Sequence, residues 1–230
     1  MQPSAPLLLL ISAPSGAGKT TVCQHLLAAN PGLSRAVTCT TRPPRPGEKD
    51  GVDYHFVEEA AFGREVLAGG FLEYASVYGR SYGTRKSEVI DKLNQGQDVL
   101  LTVDVQGVAT IQAQASRDTL LKRSLVTLFL TPSTLQILEE RLRRRGTDSE
   151  EVCRQRLAVA RHEIDQWHRF DYLILSTTIT EDVRRAQCIY EAEKLRSTRC
   201  SPQLMEPSSA TQIPERPGIR TDAGLRSISR

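Results

Sequence analysis

A glycine-rich segment near the start of the chain contains the residue types that bind nucleotide phosphates. Gly16 and Gly18 lack a Cβ atom, so the backbone N–H groups beside them can turn toward phosphate oxygens at a helix N-terminus. Lys19 adds a positive charge for the β- and γ-phosphates, and the Thr20 hydroxyl can ligate Mg²⁺. The spacing predicts the phosphate-binding loop of an enzyme that uses a nucleoside triphosphate.

The elements that must position this loop are visible on both sides of it. The apolar residues 7–11 predict a buried strand directly before the loop, and residues 19–29 predict a helix directly after it. Ala13 stands where the pattern G-x-x-x-x-G-K-[ST] has its first glycine. The alternative is a glycine-rich turn without a ligand, but the order strand, loop, helix favours the phosphate loop. The predicted ATP-binding residues are Ala13, Pro14, Ser15, Gly16, Ala17, Gly18, Lys19, Thr20 and Thr21.

Composition places the chain among ordinary globular proteins. Its 230 residues are 39% hydrophobic and 25% charged, which is typical of one soluble domain with its own core. The net charge of +3 is too small to indicate a nucleic-acid or membrane partner. The five cysteines are scattered without a C-x-x-C pair, which favours reduced thiols. These features predict a cytoplasmic protein.

Short apolar runs alternate with amphipathic stretches, which indicates an α/β fold with a mostly parallel sheet flanked by helices. The core strands are predicted at residues 7–12, 98–103, 124–130 and 171–175. The helices are predicted at residues 19–29, 105–116, 133–145, 150–168 and 181–197.

Two regions depart from this alternation. Residues 34–96 contain a proline-rich loop and short strand patterns near 53–57 and 71–75, so they predict a small inserted subdomain that faces the phosphate loop. Residues 198–230 lack aromatic side chains and have no apolar periodicity, which predicts a disordered tail.

The proline-rich loop carries two arginines that suit a second phosphate group. Arg42 and Arg45 lie in the stretch T-T-R-P-P-R-P-G-E, where proline makes the backbone stiff. Guanidinium groups bind phosphate bidentately, and a rigid loop loses little entropy in placing them. With the hydroxyls of Tyr54 and Tyr82, these arginines could hold a phosphate that is not transferred. The alternative is an exposed loop with solvated arginines.

Several motifs in order make the sequence similar to one family. The chain contains S-A-P-S-G-A-G-K-T, T-T-R-P-P-R-P-G-E, G-V-D-Y-H-F, G-F-L-E-Y-A, S-Y-G-T, V-D-V-Q-G and R-L-R-R-R-G-T-D-S-E-E. It resembles the guanylate kinases, which convert ATP and GMP to ADP and GDP, over residues 5–197. The resemblance implies a P-loop kinase core at 5–33 and 97–197, an inserted GMP-binding subdomain at about 34–96, and a helical lid at about 141–161.

The resemblance also implies roles for individual residues toward GMP. The positions that hold the GMP phosphate are Arg42, Arg45, Tyr54 and Tyr82, and those that contact guanine are Thr38, Glu73, Thr84 and Asp104. The chemistry agrees, because the Glu73 carboxylate can accept from both N1–H and the 2-amino group of guanine, whereas adenine has neither donor. The Thr84 hydroxyl can donate to O6, where adenine presents an amino group. A carboxylate left unpaired disfavours AMP strongly.

The implied lid supplies positive charge for the transferred group. Arg141, Arg145 and Arg156 match lid arginines that contact ATP phosphates, and with Lys19 and Arg42 they form the predicted catalytic set. A run of charges on a helix can also be a solvated face. The implied reaction is direct in-line transfer from Mg-ATP to GMP, and to dGMP, in which Mg²⁺ accompanies ATP.

Two departures from the family pattern bear on activity. Thr102 stands where the family usually has the first aspartate of D-x-D-x-Q-G, which predicts weakened Mg²⁺ dependence. Residues 176–178 read S-T-T where the family often reads N-D-D near the adenine of ATP, so the donor preference is open. Two other functions stay as alternatives: a kinase for another phosphorylated acceptor, such as a ribose bisphosphate, and a non-catalytic binding module. The oligomeric state, monomer or homodimer, is also open.

Overall fold

The computed structural model describes residues 5–77, 79–144 and 150–200 and contains two β-sheets with flanking helices. The strands are β1 Leu8–Ser12, β2 Leu33–Arg35, β3 Cys39–Thr40, β4 His55–Phe56, β5 Phe71–Val77, β6 Arg80–Arg85, β7 Asp98–Thr102, β8 Leu125–Pro132 and β9 Tyr172–Ser176. The helices are α1 Lys19–Ala29, α2 Glu59–Leu67, α3 Lys92–Asn94, α4 Val105–Ala115, α5 Thr119–Ser124, α6 Leu135–Arg144, α7 Glu150–Ile164 and α8 Ile179–Lys194. A π-helical turn, Ser87–Asp91, precedes α3, and a 3₁₀ turn, Trp167–Arg169, follows α7.

The main sheet is parallel throughout and has the strand order β2-β7-β1-β8-β9. Its central strands are apolar on both faces because helices cover both sides. Leu9 and Ile11 of β1 pack toward α1 and α8, whereas Leu8 and Leu10 pack toward α4, α5 and the π-helical turn. The predicted α/β class with a mostly parallel sheet is confirmed.

The four predicted core strands are all present, with ends that differ from the prediction by one or two residues. Helix α1 has the predicted bounds. Helix α7 ends earlier than predicted, at Ile164, and the chain then tightens into the 3₁₀ turn. The sequence did not predict β2, whose three residues are too few to show a hydrophobic period.

The second sheet has the order β4-β3-β6-β5 and lies within residues 39–85. The predicted strand patterns near 53–57 and 71–75 correspond to β4 and β5, whereas β3, β6 and α2 were not predicted. Helix α2 packs on this sheet through Phe62, whose ring centroid lies 4.5 Å from that of Phe71. Gly83 permits this close packing, because a Cβ atom there would lie 3.0 Å from Phe71. The π-helical turn and α3 instead join the core of the main sheet through Val89 and Leu93.

Buried polar side chains join α8 to the amino ends of the central strands. Asp98 accepts hydrogen bonds from Leu7 N (2.9 Å), Tyr190 Oη (2.6 Å) and Lys194 Nζ (2.8 Å). Arg199, which the sequence placed in the tail, is only 7% exposed and pairs with Glu193 at 3.4 Å. The ordered packing therefore continues to the end of the described residues, and residues 201–230 of the predicted tail lie outside them.

No helix in the described part of the chain combines the length and the apolar character needed to cross a membrane.

Candidate active site

The phosphate loop joins the carboxyl end of β1 to the amino end of α1. Gly16 and Gly18 have φ angles of +92° and +100°, a left-handed conformation that side chains rarely adopt. A Cβ atom on Gly16 would also lie 3.1 Å from Cδ2 of Leu142, so α6 packs closely over the loop. The backbone conformation therefore requires glycine at both positions. The loop that they form leads into the amino end of α1, where anions bind.

Lys19, the first residue of α1, lies among acidic side chains. Burial lowers the pKa of Lys19, and the nearby Cys23, Glu163 and Asp104 partly oppose this shift. Burial raises the pKa of Glu163 to about 7, and the positive charge of Lys19 acts in the opposite direction. Glu163 was not singled out in the sequence. Its spacing could have identified it, because Glu163 follows Arg156 by seven residues and so lies on the same face of α7.

Arg141, which the resemblance places in a lid, lies beside the phosphate loop. Its Nη1 donates to the carbonyl oxygen of Ala17 at 3.3 Å, and both Nη1 and Nη2 lie 3.4 Å from Oγ of Ser176. Ser176 in turn donates to Asp182 at 2.6 Å. A pocket of about 440 Å³ lies at this point, between the phosphate loop, α6 and the β9–α8 connection. Arg156 is half-buried on α7, and Arg145 lies outside the described residues.

Three of the four predicted guanine-contacting residues lie side by side at the second sheet. Glu73 of β5 pairs with Thr84 of β6, and the Thr84 hydroxyl donates to Oε1 of Glu73 at 2.6 Å. Extending the β3–β6 register by one residue places Thr38 beside Thr84. Glu73 is 4% exposed, and burial raises the pKa of its carboxyl to about 7. The sheet register thus brings together the side chains of Glu73 in β5, Thr84 in β6 and Thr38 just before β3.

Asp104 reaches the same place from the main sheet. It caps the amino end of α4 by accepting from Gly107 N at 2.8 Å. A Cβ atom on Gly107 would lie 3.0 Å from Oε2 of Glu73 and 3.4 Å from Oδ1 of Asp104. The absence of a side chain at Gly107 therefore leaves room for two carboxylates, one from β5 and one from the amino end of α4, which can accept from a ligand with several N–H donors.

The predicted phosphate-holding residues of the proline-rich loop form a second cluster. Arg42 Nη2 lies 2.9 Å from each carboxylate oxygen of Glu48, and the guanidinium lies 5.4 Å from the ring centroid of Tyr54. The rings of Tyr54 and Tyr82 meet edge to face at 6.1 Å. Arg45 joins the cluster through its backbone, because its N–H donates to Glu48 at 2.7 Å while its side chain is exposed. Hydrogen bonding to Glu48, with a smaller effect of Tyr82, raises the pKa of Arg42.

Glu48 was missed in the sequence, although its position three residues after Arg45 is a signal for a local hydrogen bond. Its carboxylate orients Arg42 and is itself an anion at the place where a phosphate would pair with that arginine. Hydrogen bonding to Arg42 lowers the pKa of Glu48, so the carboxylate stays charged at neutral pH.

The residues with a predicted role toward Mg²⁺ lie at the carboxyl end of the main sheet. Thr20 is exposed in the first turn of α1, and the half-buried Thr102 ends β7, next to Ile11 of β1. Within residues 5–77, 79–144 and 150–200, no group of three or more His, Cys, Asp or Glu side chains is placed to hold a metal ion by itself.

Comparison with known proteins gives one consistent result. The family model for guanylate kinase matches residues 6–193. Guanylate kinases of Maricaulis maris and Zymomonas mobilis are 41% and 42% identical to this chain over 193 residues, which cover 84% of it and 86% and 87% of the relatives. The crystal structure of guanylate kinase from Anaplasma phagocytophilum superposes with a TM-score of 0.71 at 29% identity, covering 86% of this chain and 92% of that chain.

Proposed function

The chain belongs to the guanylate kinase family and is an ATP-dependent kinase of GMP, and we propose that the region of the phosphate loop is its donor site and that the second sheet with the proline-rich loop is its acceptor site. In this proposal the phosphate loop and Arg141 bind ATP, and the second sheet with Asp104 binds GMP. The loop residues 13–21 surround the ATP phosphates, and Lys19 contacts the β- and γ-phosphates. The division is supported by the side chains of each site: Lys19 and Arg141 lie at the phosphate loop, and the carboxylates of Glu73 and Asp104 lie beside Gly107.

The observation that carries the assignment of guanine is the meeting of Glu73 and Asp104 at Gly107. In its charged form the Glu73 carboxylate accepts from N1–H and the 2-amino group of guanine, and Asp104 accepts from a neighbouring donor. Adenine would place the N1 lone pair against a buried carboxylate, which is an unpaired charge and costs several kcal/mol. In this proposal Thr38 and Thr84 are the other polar side chains beside the base. Thr84 must turn its hydroxyl away from Glu73 to donate to O6.

The phosphate of GMP is assigned to the second cluster. Arg42 and Arg45 supply positive charge, and the hydroxyls of Tyr54 and Tyr82 supply neutral donors. The phosphate takes over part of the hydrogen bonding that Arg42 gives to Glu48. A guanidinium that is already oriented by Glu48 and by the Tyr54 ring loses little freedom when the phosphate binds.

Transfer then requires position and charge more than covalent chemistry. The γ-phosphoryl group lies between the donor and acceptor sites, and charge on its equatorial oxygens is balanced by Lys19, Arg42 and the lid arginines Arg141, Arg145 and Arg156. In this proposal no side chain forms a phosphorylated intermediate. Closing of the lid excludes water, which suppresses hydrolysis of ATP.

Mg²⁺ fits the donor set as a partner of ATP. The Thr20 hydroxyl at the start of α1 would hold the ion together with phosphate oxygens and water, as suits a hard cation that keeps much of its hydration shell. Thr102 could orient one of these waters through a hydrogen bond but brings no charge. When bound, the ion supplies charge stabilisation to the β- and γ-phosphates.

Two finer inferences complete the proposal. We infer that dGMP is also an acceptor, because the proposed contacts address the base and the phosphate and none of them uses the 2′-hydroxyl. The five cysteines are all free thiols, which supports a reducing, cytoplasmic location.

The test is ADP formation from Mg-ATP with GMP, dGMP, AMP, CMP, UMP or water as acceptor. The expected result is turnover with GMP and dGMP that exceeds turnover with AMP by about a thousandfold. Turnover with another phosphorylated acceptor and none with GMP would contradict the acceptor assignment. GMP binding without turnover would indicate a binding module in which Thr102 has disabled the transfer.

A further inference from the structure

Ser176, at the end of β9, and Asp182, in the first turn of α8, lie next to Arg141. Both side chains are almost fully buried, with exposed fractions of 4% and 2%. Ser176 Oγ donates to one carboxylate oxygen of Asp182 at 2.6 Å, and Thr177 N donates to the other at 3.1 Å. Both oxygens of the carboxylate are therefore engaged, and its position is fixed relative to the end of the sheet.

The Ser176 hydroxyl connects this carboxylate to Arg141. Because its proton is donated to Asp182, its lone pairs are turned toward the guanidinium, whose Nη1 and Nη2 both lie 3.4 Å away. On its other side the guanidinium contacts the carbonyl oxygen of Ala17 in the phosphate loop, at 3.3 Å. Arg141 is thus held between the loop and the Ser176–Asp182 pair.

The charges explain why this arrangement is stable. A buried carboxylate requires hydrogen bonds and a nearby positive charge. Asp182 has two donors, and Arg141 supplies the positive charge through the intervening hydroxyl. The same contacts restrict a long side chain that would otherwise sample many rotamers in solvent, so less freedom is lost when an anion binds.

We propose that Ser176 and Asp182 are positioning residues that hold Arg141 in place for the phosphates of ATP. The proposal rests on the proposed function, because it takes Arg141 as a contact of ATP. Neither residue touches the reacting atoms, and both act through the guanidinium. The pocket that Arg141, Ser176 and Asp182 share with Gly16 and Gly18 is the place where this orientation matters.

Single substitutions in the full chain test the proposal. Ser176→Ala removes the connecting hydroxyl, and Asp182→Ala removes the group that orients it. For each variant we expect KM for ATP and the Kd for ATP without GMP to rise about five- to tenfold, while KM for GMP stays within about twofold. Thr180→Ala is the matched control, since Thr180 is exposed on the first turn of α8, and it should change none of these values.

The decisive measurement repeats Ser176→Ala and Asp182→Ala in an Arg141→Ala background. If both residues act through Arg141, neither should weaken ATP binding by more than about twofold once Arg141 is absent. The same five- to tenfold effect in both backgrounds, or an equal rise of KM for GMP, would overturn the proposal. Asp182→Asn, which keeps the volume and removes the charge, serves if Asp182→Ala does not fold, and it should show the same loss of effect in the Arg141→Ala background.

Calorimetry with ATP and no acceptor separates this proposal from the proposed function. If the native chain fails to phosphorylate GMP but its variants still lose ATP affinity through Arg141, the positioning proposal stands and the acceptor assignment fails. If the native chain phosphorylates GMP and the variants bind ATP normally, the positioning proposal fails.

Discussion

The Thr84 hydroxyl donates a 2.6 Å hydrogen bond to the buried carboxylate of Glu73 across the paired strands β5 and β6. The bond stabilises the charged form of Glu73, whereas burial and the negative charge of Asp104 disfavour it. Burial has the larger effect, so the carboxyl titrates near neutral pH in the protein without GMP. In the proposed function, the protonation state of Glu73 therefore connects acceptor selectivity to pH.

The first prediction concerns the choice of acceptor. Glu73→Gln should lower kcat/KM for GMP about 100-fold or more and change kcat/KM for AMP by less than about threefold, because an amide replaces one accepting oxygen with a donor. Steady-state kinetics with both acceptors measure the effect. Glu58→Gln, at an exposed glutamate before α2, is the control and should resemble the native protein. Equal losses with GMP and AMP would contradict a role in guanine selection.

A second prediction concerns pH. Burial raises the pKa of Glu73 to about 7, and the proposed contact with guanine requires the carboxylate, so affinity for GMP should rise as pH increases from 6 to 8. At pH 7, binding should release about half a proton from this group. Calorimetry in buffers of different ionisation enthalpy measures the number of protons released. In Glu73→Gln the half proton that Glu73 releases should be missing. Glu163, whose pKa is also about 7, is present in both the native protein and Glu73→Gln, so any proton that it releases is the same in the two measurements.

The same shift has a consequence for folding. The unfolded chain ionises Glu73 near its ordinary pKa of 4.5, whereas the folded protein keeps the proton up to about 7. The unfolded state therefore binds fewer protons across this window, and Glu73 reduces the free energy of unfolding as pH rises from 4.5 to 7. Urea denaturation at pH 5 and pH 7 measures this effect. The free energy of unfolding should fall less between pH 5 and pH 7 in Glu73→Gln than in the native protein. A loss of equal size in both would contradict the shift.

A third prediction addresses the proline-rich loop. Arg42→Lys should raise KM for GMP about tenfold and leave KM for ATP within about twofold, because lysine lacks the planar fork that binds phosphate and stacks on Tyr54. Arg80→Lys, at an exposed position on β6, is the matched control. A comparable rise of KM for both substrates would mean that the substitution acts through the fold and not through the GMP phosphate.

Thr102 gives a fourth prediction. Thr102→Asp should lower the Mg²⁺ concentration that gives half of the maximal activity, because a carboxylate orients a metal-bound water more strongly than a hydroxyl does. Thr102→Val, which keeps the shape and removes the hydroxyl, should raise that concentration. Titration with Mg²⁺ at saturating ATP and GMP measures both. Unchanged midpoints in the two variants would rule out a role for this position.

The fifth prediction concerns the end of the described chain. A protein that stops at Cys200 should keep its free energy of unfolding within about 0.5 kcal/mol. One that stops at Thr198 should lose about 1–3 kcal/mol, because Glu193, which is 2% exposed, loses its buried partner Arg199 but keeps the hydrogen bond from Tyr172 and the ion pair with Arg196. Urea denaturation measures the difference. Equal stability of the two shortened proteins would show that Arg199 does not contribute.

The sequence by itself determined the features that depend on neighbouring residues. Gly16, Gly18 and Lys19 specify a phosphate loop because backbone conformation and charge are local properties, and the apolar runs specify four core strands because strands and helices have fixed periods. Very short elements such as β2 and β3 carry too few residues for a period, so they were not predicted.

Only the tertiary structure decided which distant side chains meet. Glu73 and Asp104 both lie beside Gly107, whose missing side chain leaves room for them, and Arg141 contacts Ser176 because α6 packs against β8, the neighbour of β9. Arg199 belongs to a stretch that resembles a disordered tail in composition, yet it pairs with a buried glutamate. Such contacts depend on how whole helices and strands pack, and the packing energy is shared among many residues. They therefore cannot be predicted from the spacing of residues within one segment of the sequence.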